Sequence, residues 1–129
     1  MAQVKIYGRS AALRAMRASL SDVIHSCTVD ALAFPVEKRF HRFIALEADD
    51  FIYPSDRSDR YTVIEILMFE GRSIEAKKAF IRLLYERAAA QLELAPIDLE
   101  LTFIETPRHN WGIRGVAGDE LAIGYKVEV

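Results

Sequence analysis

The chain has 129 residues, of which 51% are hydrophobic and 28% are charged, a composition that indicates one globular domain and excludes a disordered or fibrous protein. Its 17 basic and 19 acidic residues give a formal charge of -2, which argues against a nucleic-acid partner, and its single cysteine excludes an intrachain disulfide or a cysteine-rich zinc site. Since no apolar run approaches the roughly 20 residues of a membrane span, and the N-terminus lacks a signal-peptide core, we expect a cytoplasmic protein without a membrane partner.

The first part of the chain predicts a strand, a helix and a second strand. Residues 3–7 form a short strand candidate, and Ser10 is expected to cap the helix through its hydroxyl. The helix has an apolar stripe with spacings of three and four, made of Leu13, Met16, Leu20, Val23, Ile24, Cys27 and Ala31. Pro35 favours extended backbone before it and ends the helix, and residues 39–46 are predicted to form the next strand.

A polar loop, residues 47–60, leads to a second unit of the same kind. Residues 61–69 are almost continuously apolar, which is typical of a strand covered on both faces by helices. Ser73 is the next cap candidate, and the following helix stripe contains Ala76, Phe80, Leu83, Leu84, Ala88 and Leu92. Residues 98–106 alternate between apolar and polar side chains and predict a strand with one buried face.

The two units match as an internal repeat. Gly8-Arg9-Ser10 recurs as Gly71-Arg72-Ser73, about 60 residues later, and the helix-ending prolines recur at a similar distance. We therefore predict a single domain, residues 1–129, with pseudo-repeats at about 3–46 and 61–106. Side chains at every second position of the tail, Leu121, Ile123, Tyr125, Val127 and Val129, predict a C-terminal strand over 119–129. Such a strand needs a free sheet edge, in this chain or in another subunit.

Two features have the chemistry of a small-molecule site. Arg72 is predicted to lie where a strand ends and a helix begins, so its guanidinium and the free helix amides both favour an anion such as a carboxylate. A solvated arginine is the alternative, and Arg9 has the equivalent position in the first repeat. Trp111 and Arg108 follow the last strand of the second unit and predict one side of a pocket, with a packed turn as the alternative.

Metal and thiol chemistry are not indicated by the sequence. His25, His41 and His109 lack the spacing of helical metal ligands, so no metal site is expected. Cys27 lies on the apolar stripe of the first helix, which indicates a core residue rather than a nucleophile.

Taken together, several stretches resemble one known family. They are residues 29–35 (VDALAFP) with Arg39-Phe40, residues 57–61 (RSDRY), the strand 63–69, residues 71–73 (GRS), the helix 75–84 and residues 107–112 (PRHNWG). This combination resembles the tautomerase superfamily, specifically the branch that includes malonate semialdehyde decarboxylase.

The resemblance implies an α/β (α+β) fold of duplicated β-α-β units, and a homotrimer whose sheets pack into a barrel. It also implies cofactor-free chemistry at a subunit boundary. In such families an N-terminal proline, exposed when Met1 is removed, moves a proton, and arginines hold the carboxylate of a small substrate.

Three positions depart from the pattern of the family. Ala2 replaces the proline, so the terminal amine is primary, with an ordinary pKa of about 7.7 to 8 and no rigid ring. Lys38 stands where the decarboxylase has an acidic residue, and Glu70 replaces one arginine of a pair, which leaves Arg72. These departures make decarboxylation improbable by the family mechanism, because no carboxylate remains there to activate water.

The sequence therefore predicts a small-carboxylate-binding homotrimer with weak or absent keto-enol tautomerase activity. Ala2 is the predicted base if Met1 is removed, and Arg72, Trp111, Lys38 and Arg108 are the predicted substrate-binding residues. A second hypothesis, which Ala2 and Lys38 favour, is a non-catalytic ligand-binding or scaffolding homotrimer. A third is a ferredoxin-like sensor or RNA-binding module; residues 39–43 (RFHRF) suit RNA, but the net charge does not.

Overall fold

The computed structural model describes residues 2–129, so Met1, on whose removal the predicted role of Ala2 depends, lies outside the described residues. The first repeat contains strand β1 (Ala2–Arg9), helix α1 (Ser10–Leu32) and strand β2 (His41–Leu46). β1 and β2 pair in parallel, with Val4 opposite His41. Parallel neighbours need a long crossover connection, and α1 provides it.

The second repeat has the same order. It contains strand β3 (Thr62–Phe69), helix α2 (Ile74–Leu92) and strand β4 (Leu99–Thr106). β3 and β4 are parallel, with Thr62 opposite Leu99. Each repeat is thus a complete β-α-β unit, as the internal sequence match predicts.

The two helices begin differently. Ser73 caps α2 as expected, because its Oγ accepts a hydrogen bond from the amide of Ala76 at 3.1 Å. Ser10 does not cap α1: Arg9 is the cap residue and forms no side-chain cap hydrogen bond, while the Ser10 hydroxyl donates to the carbonyl of Leu46. The Ser10 side chain therefore joins α1 to the end of β2 instead of satisfying a helix amide.

One sheet combines the two repeats. Its strand order is β2-β1-β3-β4, and the central strands β1 and β3 run antiparallel, with Val4 opposite Ile66. Parallel pairing inside each unit supports the fold that the family resemblance implies over the ferredoxin-like alternative. The predicted α+β class of duplicated β-α-β units is confirmed.

Both helices pack against one face of this sheet. The core between them contains Val4, Ile6, Leu13, Leu20, Ile24, Ile64, Ile66, Met68, Phe80 and Leu84. The other face is open in the single chain, and side chains such as Val63, Glu65 and Leu67 of β3 are partly exposed there. The expectation that helices cover β3 on both faces is therefore wrong for one chain. Within residues 2–129, neither helix is long and apolar enough to cross a membrane.

The C-terminal region differs from the predicted tail strand. A short hairpin follows β4, formed by β5 (Gly112–Ile113) and β6 (Val116–Ala117). Residues 119–129 contain no strand, because this segment pairs with no sheet edge of its own chain. Its alternating apolar side chains pack on the rest of the chain instead: Val127 is buried, and Tyr125 packs against the ring of Phe34.

Candidate active site

Ala2, Arg72 and Trp111 all belong to the same end of the sheet. Here β1 begins while the antiparallel β3 and its neighbour β4 end, so Ala2 lies opposite Met68, and Met68 lies opposite Glu105. The Ala2 side chain is partly buried against the core. On the same side, Glu105 accepts a hydrogen bond from Lys77 of α2. Ala2 therefore pairs with Met68, which precedes Arg72 by four residues in the chain.

Arg72 lies in the turn between β3 and α2. The turn depends on Gly71, whose φ of +133° is a conformation that residues with a Cβ rarely adopt. Arg72 itself is only 4% exposed. Its guanidinium carbon lies 4.3 Å from the centre of the Phe34 ring, and its Nη1 donates to the carbonyl of Phe69 at 3.4 Å. The aromatic ring thus fixes the plane of the buried guanidinium.

Two donors of this guanidinium have no partner. Nε and Nη2 of Arg72 are both buried and make no hydrogen bond within the described residues. They lie on the same edge of the planar group, which is the edge that binds a carboxylate through two parallel hydrogen bonds. Buried donors without partners are rare and costly, so this pair indicates a place for an oxyanion.

The electrostatics of the site also favour an anion. Burial lowers the pKa of Arg72 to about 10, while the carboxylates of Glu105 and Glu128 act in the opposite direction. The guanidinium is therefore still charged at neutral pH. Because Arg72 directly precedes the N-terminal turn of α2, the helix dipole adds further positive potential.

Trp111 also contacts Phe69. Its ring centre is 5.3 Å from that of Phe69, and its Nε1 donates to the hydroxyl of Thr106 at 2.7 Å. Trp111 and Thr106 line an open cleft of about 450 Å³ together with Gln3, Leu67, Asn110 and Gly112. The structure therefore places Arg72 and Trp111 near each other through Phe69, which touches both.

Arg108, predicted with Trp111 to form one side of a pocket, makes its hydrogen bonds to the C-terminal segment. Its Nε donates to the carbonyl of Gly118 at 3.2 Å, and its Nη2 donates to that of Leu121 at 2.9 Å. Its guanidinium also lies 5.4 Å from the centre of the Phe69 ring. In the single chain, Arg108 thus holds the C-terminal segment rather than facing an open pocket.

Lys38 follows Phe34, the residue whose ring packs on Arg72, by four positions in the chain. It is partly buried and ends a turn in which its amide donates to the carbonyl of Pro35 at 3.0 Å. Glu70, at the position where the family has its other arginine, is exposed. No described contact joins Lys38 or Glu70 to Arg72.

Sequence reasoning missed Phe34, Phe69 and Gln3. Phe34 precedes a proline and Phe69 ends an apolar strand, so both resembled ordinary core residues. Their contacts with Arg72 and Trp111 depend on the pairing of distant strands, which no local pattern specifies. The only signal was indirect: Phe34 and Arg72 both fall within the stretches that resemble the tautomerase superfamily.

The histidines and the cysteine do not form a second reactive centre. Within residues 2–129, no group of three His, Cys, Asp or Glu side chains is arranged to hold a metal ion. His41 shares a hydrogen bond of 2.8 Å with Ser21, and burial lowers its pKa to about 4. Burial raises the pKa of the Cys27 thiol, which disfavours the nucleophilic thiolate.

Comparisons with known proteins agree on one family. The family model for tautomerase enzymes matches residues 38–114. The chain is 35% identical over 57 residues to a 2-hydroxymuconate tautomerase from Comamonas testosteroni, a match that covers 44% of this chain and 90% of that protein.

Solved structures extend the similarity to almost the whole chain. FG41 malonate semialdehyde decarboxylase, inhibited by 3-bromopropiolate, is 26% identical with a TM-score of 0.79, over 94% of this chain and 98% of the other. A fused 4-OT wild-type asymmetric trimer is 24% identical with a TM-score of 0.79, over 92% of this chain and 97% of the other.

Proposed function

This chain belongs to the tautomerase family, and on that premise we propose that it binds a small 2-oxo or enol carboxylic acid at Arg72, beside the start of β1. The observation that supports this proposal best is the pair of buried, unpartnered donors on one edge of the Arg72 guanidinium. A carboxylate satisfies both donors at once and neutralises the buried charge. We assign the rest of the molecule to the cleft beside Trp111, whose lining is part apolar and part polar.

Weak proton transfer is the activity we assign to this site. If Met1 is removed, the α-amine of Ala2 becomes the base, at the same end of the sheet as the positive charge of Arg72. The amine remains usable, but it lacks the fixed orientation of a proline ring. Since misplacement of a reacting group by about 1 Å costs roughly 100-fold in rate, we expect slow tautomerisation.

The test is enol-to-keto conversion of phenylpyruvate together with its binding. We expect measurable binding, slow conversion and loss of both in Arg72→Ala, whereas Arg14→Ala, an exposed arginine on α1, should behave as the unchanged protein. Blocking the terminal amine by acetylation should abolish conversion and leave binding. Binding that is unaffected by Arg72→Ala would contradict the proposed site.

A second candidate is a ligand-binding or scaffolding protein without turnover. The observations that favour it are Ala2 in place of the catalytic proline and the absence of a carboxylate at position 38, where Lys38 stands. Binding of phenylpyruvate that requires Arg72, with no conversion even after Met1 is shown by mass spectrometry to be absent, would favour this candidate.

We further propose that three copies assemble through the open face of the sheet. Support comes from the partly exposed Val63 and Leu67 on that face and from the similarity to a fused 4-OT protein that is a trimer. Burying apolar surface of this kind is the usual driving force for association. In such an assembly Ala2 lies at the rim of a sheet that contacts a neighbouring subunit.

A further inference from the structure

The C-terminal segment, residues 118–129, returns from the β5–β6 hairpin to the start of α2. Its first part is fixed by Arg108, which donates to the carbonyls of Gly118 and Leu121. Its last part reaches the turn before α2, where the amide of Ser73 donates to the backbone oxygen of Val129 at 3.3 Å. The segment therefore spans from the Trp111 region to the Arg72 turn.

Residues 125–129 touch the surroundings of Arg72 at three points. Tyr125 packs against Phe34 with ring centres 5.9 Å apart, and Phe34 is the ring beneath the guanidinium. Val127 is 3% exposed and lies against Gly71, where an added Cβ would come within 3.1 Å of its Cγ1. The carboxylate of Glu128 is close enough to Arg72 to favour its charged form.

The contacts of residues 125–129 explain why the Arg72 side chain is buried although two of its donors have no hydrogen-bond partner within the described residues. Two of its donors are free, but the side chain is only 4% exposed, so a solute cannot approach them in this conformation. Glu128 supplies negative charge near the guanidinium without a hydrogen bond to it within the described residues. The tail thus partly compensates the buried charge of Arg72, while Nε and Nη2, the two donors suited to a carboxylate, make no hydrogen bond within the described residues.

We propose that residues 125–129 form an autoinhibitory strap, which covers Arg72 and must lift before a carboxylate binds there. The inference rests on the proposed carboxylate-binding function of Arg72. The strap is suited to movement because it belongs to no strand, and because its buried anchor, Val127, lies outside the main core cluster. Lifting it breaks the contact of Tyr125 with Phe34 at the edge of the core but removes no member of the main core cluster.

The accessibility of Arg72 to phenylglyoxal, a reagent for guanidinium groups, tests the strap directly. The rate is read from the Arg72 peptide by mass spectrometry, with exposed Arg14 as the internal reference. We expect slow modification of Arg72 in the full chain and modification about tenfold faster in Val127→Ser, since removing the apolar anchor shifts the closed–open equilibrium by at least that factor. Lys126→Ser, an exposed neighbour in the same strap, should leave the rate unchanged.

A second variant guards against indirect effects of the substitution. A chain ending at Gly124 should show the same fast modification of Arg72 and an unchanged far-ultraviolet circular dichroism spectrum. If Arg72 reacts in the full chain as fast as Arg14, or no faster in either variant, the strap does not exist.

A different measurement tests the proposed binding of a carboxylate. Phenylpyruvate should protect Arg72 from phenylglyoxal in Val127→Ser at concentrations that protect the full chain poorly. Fast modification without protection would support the strap and contradict carboxylate binding. Equal protection of the full chain and of Val127→Ser would support carboxylate binding and contradict the strap.

Discussion

The charge state of one residue, Arg72, determines when this site attracts an anion. Its guanidinium is buried against Phe34, which lowers its pKa to about 10, so it is fully protonated near neutral pH. Deprotonation removes the positive charge and one donor together. The proposed affinity of the site for a carboxylate should therefore be present below this pKa and disappear as the pH rises through it.

We predict that phenylpyruvate affinity is constant near neutral pH and falls as the pH passes about 10. In Arg72→Lys the fall should begin at lower pH, because a buried lysine loses its proton more easily than an arginine. Titration calorimetry across this range measures both curves, and Arg14→Lys is the control. An affinity that stays constant to well above pH 10 would argue that Arg72 does not bind the carboxylate.

A second prediction concerns Ala2. Ala2→Pro should accelerate enol-to-keto conversion of phenylpyruvate by about tenfold to a hundredfold, because the ring restores a secondary amine with a fixed direction. Intact mass spectrometry must show the same processed N-terminus in both proteins. Ser19→Ala, at an exposed position inside α1, is not expected to reproduce the gain. If Ala2→Pro brings no gain, the amine is not the limiting feature of this site.

Individual site residues were predictable to different degrees. Arg72 followed from its place between a strand and a helix, since both the residue type and the position favour an anion. The partners of Arg108 could not be predicted, because they are carbonyls of the tail. Phe34 could not be recognised as the ring that packs on Arg72, because the two residues are 38 positions apart in the chain. Such contacts arise from strand pairing and not from local sequence.

At the level of elements, the two helix starts show what a serine cap contributes. The Ser73 hydroxyl accepts from the amide of Ala76 and satisfies one free donor of α2. The same cap holds the turn that contains Gly71 and Arg72. Its removal should thus affect the stability of α2 at the end that faces the site.

We predict that Ser73→Ala lowers the free energy of unfolding by about 1 kcal/mol. Ser19→Ala, at an exposed position inside α1, should change it by less than about 0.5 kcal/mol. Urea denaturation followed by circular dichroism measures both. If Ser73→Ala lowers the free energy of unfolding no more than Ser19→Ala does, the cap does not stabilise the protein.

The helices and central strands were predictable because their apolar periodicities match the faces that the core covers. The tail was not: the alternation from Leu121 to Val129 predicted a strand, whereas the structure has none in residues 119–129. Alternation reports which side chains prefer burial, but a strand also needs a partner edge. In the single chain Val127 finds burial beside Gly71 without one.

At the scale of the whole molecule, the open sheet face is the largest surface without a covering layer. Ile104 of β4 lies on it, opposite Leu67 of β3, and is 37% exposed. A contiguous exposed apolar patch on a protein surface indicates an interaction site. This surface is where we expect the proposed trimer to form.

We predict that the full chain sediments as a trimer and that Ile104→Glu weakens the trimer by about tenfold or more, since a charge is then placed in the interface. Ile52→Glu alters a residue that is 88% exposed in the loop between β2 and β3 and should leave assembly unchanged. Sedimentation velocity at several concentrations gives the comparison. A stable monomer of the unchanged chain would contradict the trimer.

The antiparallel pairing of β1 with β3 also separates the equivalent arginines of the two repeats, since Arg9 ends β1 far from the turn of Arg72. Arg9 forms an ion pair with Asp59 at 3.1 Å and lies over the ring of Tyr53 at 4.5 Å. The two copies of the motif therefore differ: Arg9 fastens a loop to β1, whereas two donors of Arg72 make no hydrogen bond within the described residues. The two repeats thus share their backbone order and the Gly-Arg-Ser triplet, but the two ends of the sheet are chemically unequal.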